Sequence, residues 1–149
     1  MTIHRSIFAA TLLAGLALAS GADAQVKLRY AHVGVANAPQ TMFADELAKS
    51  VKDRTAGRVE FQVFPNSQLG GVGEMVDGVK SGAIGIGHHD FASLGKILST
   101  TAVFNTPFVY RDAEHSLSAT DPRTSAALQA INKELVEKGG MRIIGSFYQ

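Results

Sequence analysis

"RVEFQVFPNSQLGGVGEMVDGVKSGAIGIGHHDF", residues 58–91, contains a strand, a turn, a helix and another strand in one run. Val59, Phe61 and Val63 alternate along residues 58–64 and so share one face of a strand. "PNSQLGG" (65–71) supplies proline, asparagine and glycines, the residues of a turn. Val72, Met75, Val76 and Val79 then recur at helical spacing, and Gly82 stops the helix. "AIGIGHH" (83–89) is nearly all small or apolar before its histidines, which fits a strand buried on both faces.

The same alternation extends in both directions. "VKLRYAHV" (26–33) reads as an earlier strand. In residues 39–54, Phe43, Leu47 and Val51 stand at i, i+4 and i+8 with Ala44 and Ala48 beside them, giving one apolar helix face. Pro39 fits its first turn and Gly57 a position just past its end. Downstream, Pro107 breaks "TTAVFNTPFVY" (100–110) and argues against a long central strand. Residues 112–138 are helical in character but interrupted by "TDPRT", with Asp121-Pro122 expected to start a second helix. Leu128, Ile131 and Leu135 form its stripe, and Gly139-Gly140 end it. "MRIIGSFY" (141–148) is expected to be a last strand. Alternating strands and helices predict an α/β fold with a mainly parallel sheet, and taking the first strand as central, between the second and the third, gives the order 2-1-3.

Residues 1–24 are set apart. Arg5, the apolar run "IFAATLLAGLALA" and "ADA" before Gln25 predict a cleaved secretory signal peptide, leaving one domain from residue 25 to 149 in the periplasm. Beyond residue 25 nothing approaches the roughly 20 apolar residues of a membrane helix. The chain has no cysteine, which excludes thiol catalysis, zinc–thiolate sites and iron–sulfur clusters. With a formal net charge of +1 and no basic cluster, nucleic acid is not an expected partner.

A 2-1-3 sheet reverses its strand order between the first and third strands, and ligands of open α/β sheets sit beyond the carboxyl ends at such a point. His32, Val33 and Gly34 leave the first strand there, and His88, His89 and Asp90 leave the third. One alternative is a metal site of His32, His88 or His89, and Asp90, in a periplasmic metal-binding module or metal-dependent enzyme. Ser93 and Ser99 lie nearby without the turn that frames a nucleophile. Histidines that merely cap the strand ends are a further possibility, and a solute pocket is the last. Because strand residues alternate, only one of His88 and His89 should face the crevice. His89 is favoured, with Asp90 next to it, and His88 as a packing residue. An unperturbed imidazole titrates near pH 6.5, so binding through it should change between about pH 5.5 and 7.5.

Over its length after residue 25 the chain resembles the N-terminal part of the dicarboxylate-binding solute-binding proteins of tripartite ATP-independent periplasmic (TRAP) transporters. The similarity is carried by "GRVEFQVFPNSQLGGVGEMVDGVKSGAIGIG" (57–87), "AVFNTPFVYRDAEH" (102–115) and "LQAINKELVEKGGMRIIGSF" (128–147), in that order. The resemblance implies a two-lobed protein without cofactor or enzymatic activity. Such a protein captures a small organic acid and delivers it to the membrane permease subunits. It implies a pocket formed by the loop from His32 to Ala38, including Val33 and Asn37, and by His89 and Asp90 after the third strand. Gln68 and Gly70 would shape the turn after the second strand. The arginine that clamps the ligand carboxylate belongs to the family's second lobe, which is expected to be absent from these 149 residues, and Arg111 and Arg142 are expected to be structural.

Overall fold

The computed structural model describes residues 24–146; positions 1–23 of the expected signal peptide and Phe147 and Tyr148 of the expected last strand lie outside the described residues. Three parallel strands, β1 (Val26–His32), β2 (Val59–Phe64) and β3 (Ile86–His88), form a sheet in the order β2-β1-β3. The fold is therefore α/β with the predicted 2-1-3 winding. Helix α1 (Pro39–Arg54) makes the first crossover and α2 (Val72–Ser81) the second.

Alternation along β1 assigns the two faces of the sheet. Ala31 points to one side, where it packs with Met75 of α2 and with Ile84. Tyr30 and His32 point to the other, where Phe43 of α1 approaches. The predicted stripe of α2 is the better buried of the two crossover helices, with Met75 at 0 % and Val76 at 4 % exposure. On α1 the buried positions are instead Thr41 and Ala44; Leu47 and Val51 are half-buried and Phe43 is exposed. The residues this helix buries are thus small, while Phe43 reaches the His88 ring of the sheet.

A second apolar layer lies on the α2 side. Leu128, Ile131 and Leu135 of helix α4 (Ala126–Gly139) pack with Val76, Leu94, Leu98, Met141 and Ile143. Two 3-10 helices, Phe91–Lys96 and Ser99–Asn105, occupy the chain between β3 and the short helix α3 (Ala113–Ala119).

Three boundaries differ from the sequence expectation. β3 is shorter than 83–89, because Ile84 N–H donates back to the Gly78 carbonyl at 3.0 Å and joins the helix end rather than the ladder. The second late helix starts after Ser125, whose hydroxyl accepts from Leu128 N–H. Asp121 instead closes a turn by accepting from Arg123 N–H at 2.8 Å and from its guanidinium at 3.0 and 2.7 Å. Residues 141–146 form no sheet ladder among the described residues. The Asn132 amide accepts from Ile143 N–H at 2.7 Å and donates to its carbonyl at 2.9 Å, giving that backbone the partners a neighbouring strand would supply.

Candidate functional site

The carboxyl ends of the strands are built by three loops. Residues 33–38 leave β1, residues 65–71 leave β2, and His89 and Asp90 leave β3. The first two are tied together: Asn66 N–H donates to the Gly34 carbonyl at 2.9 Å and Ser67 N–H to the His32 carbonyl at 3.2 Å. Asn66 and Ser67 adopt φ of 52° and 57°, so the chain folds back tightly enough to make both bonds. Thr41 Oγ1 donates to the Val35 carbonyl at 2.7 Å and fixes the first loop to α1. Gly70, at φ 103°, completes the turn into α2, where a Cβ would stand 2.6 Å from that of Glu74. Gln68 is exposed on the same turn.

Register makes His32 and His88 direct cross-strand neighbours, with ring centroids 6.1 Å apart. Tyr30 joins them from the same face, and its hydroxyl shares a 2.9 Å hydrogen bond with His88 Nδ1. Phe43 meets the His88 ring edge-on at 6.2 Å between centroids. Desolvation pushes the Tyr30 phenol up to about 12 and pulls the His88 imidazole down to about 4, with His32 and His89 adding to the latter effect. Burial also lowers His32, opposed by the negative charge of Asp45. His32 is 1 % exposed, and neither ring nitrogen has a hydrogen-bond partner.

His89 lies on the opposite face from His88. A Cβ on Gly87 would stand 3.3 Å from two atoms of the His89 ring and 3.2 Å from Val79 of α2. His89 Nδ1 is 2.9 Å from the Asp90 carbonyl oxygen, which can only accept, so Nδ1 carries the proton. Asp90 begins the first 3-10 helix. Its Oδ1 accepts from Ser93 N–H at 2.8 Å and from Ser93 Oγ at 2.6 Å, and the hydroxyl contact is the main cause holding its carboxyl below the usual range.

The structure thus gathers His32 with His88 on the α1 side, and His89 with Asp90 on the other. Val33 and Asn37 stand exposed on the first loop, Asn37 at φ 62°. The alternative metal set of His32, His88, His89 and Asp90 does not converge, because the two adjacent histidines diverge and Asp90 is turned into its helix cap. Among the described residues no three potential metal-ligating side chains cluster. Burial takes His88, the expected packing residue, well below the ordinary imidazole range. Tyr30 and Phe43 were not among the sequence candidates. Tyr30 stands two residues before His32 and hence on the same strand face, which was the available signal.

Arg111 is exposed beside the Asp112 cap of α3, and its N–H donates to His115 Nδ1 at 3.2 Å. Arg142 is exposed next to the pinned Ile143. A groove of about 520 Å³ runs between α2 and the first 3-10 helix, lined by Val72, Val76, Lys80, Ser93 and Lys96. It flanks the α2 side and lies apart from the His32–His88 pair.

Comparison with known proteins gives one consistent outcome. Residues 30–149 match the family described as bacterial extracellular solute-binding protein, family 7. The 2,3-diketo-L-gulonate-binding periplasmic protein YiaO of Escherichia coli is 29 % identical over 130 residues, covering 85 % of this chain and 39 % of that protein. A TRAP periplasmic solute-binding protein from Sulfurospirillum deleyianum, solved with bound succinate, superposes with a TM-score of 0.65 at 32 % identity, over 78 % of this chain and 36 % of that one. Another from Polaromonas, bound to D-erythronate, gives 0.67 at 26 % identity, over 77 % and 37 %. The chain spans about two fifths or less of the length of these relatives.

Proposed function

The chain belongs to family 7 of the bacterial extracellular solute-binding proteins, and from that premise we propose that it forms the N-terminal ligand-binding lobe of a TRAP transporter component. In this reading it captures a small carboxylate in the periplasm, reaches that compartment by a signal peptide cleaved before Gln25, and passes the ligand to membrane permease subunits. It binds and releases without chemistry. The match over residues 30–149, on a sheet wound 2-1-3, carries the reading. The pocket surface of this lobe is then the crest of the three loops, with Val33, Asn37, His89 and Asp90 exposed or half-exposed and His32 immediately beneath.

A thermal-shift screen of mono- and dicarboxylates against the full gene product tests this, because a ligand that binds only the folded state raises its melting temperature. At least one acid should shift the melt in a saturable manner; a panel without any shift overturns the reading. Mass spectrometry of periplasmic material should find a mature terminus at Gln25, and an intact Met1 on soluble protein would end the export proposal.

A further inference from the structure

Resting on the reading above, in which these residues form one lobe of a longer protein, we infer that Phe108 is an anchor onto which the polypeptide following residue 149 packs. Phe108 is fully exposed and holds φ at 61°. Val109 N–H donates to the Thr106 carbonyl at 3.3 Å, which closes a turn with Pro107 and Phe108 at its centre. Positive φ at the second central position, behind a proline, is the geometry of a type II turn, where glycine or asparagine is the ordinary choice. A bulky aromatic is disfavoured there by its own backbone and, when exposed, by water as well. Two separate costs fall on one side chain, and full exposure leaves no burial within the lobe to offset either.

The chain around this turn is short of partners in the same way. Helix α3 has no buried residue, and at seven residues it is too short to hold its shape by backbone bonds alone. Val103, Val109 and Leu117, on either side of Phe108 in the chain, are exposed apolar side chains. The place where the described chain leaves the lobe identifies what covers them. Thr120, which ends α3, is hydrogen-bonded through its hydroxyl to that of Ser146. Toward the start of the helix, Tyr110 meets the His115 ring at 6.0 Å between centroids. A helix of this length spans about 10 Å, a distance that three or four extended residues cross. Chain following Ser146 therefore starts within reach of the turn at 106–109, and the relatives matched above are more than twice as long as the matched region. A second copy or a permease loop would have to be brought there, whereas the following polypeptide is already tethered.

Two measurements on the full gene product test this. Phe108→Gly and Phe108→Asn each relieve the backbone at positive φ, so on a free surface they raise the melting temperature. With the ring packed against the following polypeptide, both should instead lower it by about 3 °C or more, because a buried aromatic is lost. In the second measurement, p-benzoylphenylalanine is placed at position 108 and irradiated. It should crosslink to a peptide beyond residue 149 of the same polypeptide, identified by digestion and mass spectrometry. An unchanged or raised melting temperature overturns the anchor assignment, as does a crosslink only to a second copy or to permease subunits, or no crosslink at all. These outcomes leave the carboxylate-binding reading in place, since that reading stands or falls on the ligand screen.

Discussion

His32 combines near-complete burial with two ring nitrogens that lack any hydrogen-bond partner. Leaving a buried polar atom unsatisfied costs about 1–3 kcal/mol, so this side chain destabilises the lobe that holds it. His32→Leu should therefore stabilise the fold by about 1 kcal/mol, read as a rise in the urea midpoint at unchanged slope. A loss of stability would show that the ring is better satisfied than its surroundings indicate. His88 makes a second prediction at this scale. Its folded pKa of about 4 lies below the 6.5 of the free side chain, so between those values the unfolded chain holds a proton that the folded chain refuses. Stability is complete above pH 6.5 and declines as pH falls toward 4, with His32 acting in the same direction. Between pH 7 and 5 the contribution of His88 is at most about 2 kcal/mol. His88→Asn should flatten the pH dependence of the denaturation midpoint; an equal slope in variant and parent would remove His88 as its cause.

Among the elements, the turn into α2 offers two glycines of opposite character. Gly70 sits at φ 103° with Glu74 Cβ 2.6 Å from where its own Cβ would be, and neither atom can swing away. Gly70→Ala should cost about 1–3 kcal/mol. Gly73, inside α2, has open space at the same position, so Gly73→Ala should stabilise by about 0.5–1 kcal/mol. Thermal melts of both variants check the pair, and a shift of the same sign in both would contradict the assignment. These elements also mark what periodicity reveals and what it leaves out. The stripes of α2 and α4 were readable because their buried apolar residues recur at helical spacing, whichever distant residues they meet. The start of α4 was not, because Asp121-Pro122 and Ser125 both carry capping chemistry and only the Arg123 contacts show which of them ends the preceding turn. The last segment reads as a strand by composition, yet its pairing depends on Asn132, eleven positions before Ile143, which no local pattern reports.

At the scale of the molecule, the alternation of elements indicates a parallel α/β sheet, and placing the first strand at its centre, an assumption that the structure bears out, brings the ends of β1 and β3 together. Which histidine meets His32 was decided by register, since His88 and not His89 is its cross-strand partner. Sequence places two adjacent histidines on opposite faces but does not say which face α1 will cover. In the proposed reading, the crest contributed by these residues has no lysine or arginine to neutralise a carboxylate. Residues 25–149 expressed alone should therefore bind carboxylates more weakly than the full gene product by about 2–5 kcal/mol, or roughly thirtyfold to several thousandfold. Calorimetry on both forms checks this. Equal affinity would mean that the lobe contains a carboxylate partner of its own.

The central position of β1 has a consequence in time. The strand made first by the ribosome has no partner until Val59 and its neighbours follow, and its other edge closes only when Ile86–His88 have been made. Such distant parallel pairings are slow to form, because long loops must close before any contact rewards them. Under the export proposed above, delay is an advantage: the sheet does not lock before the translocation machinery captures the leading end of the unfolded chain.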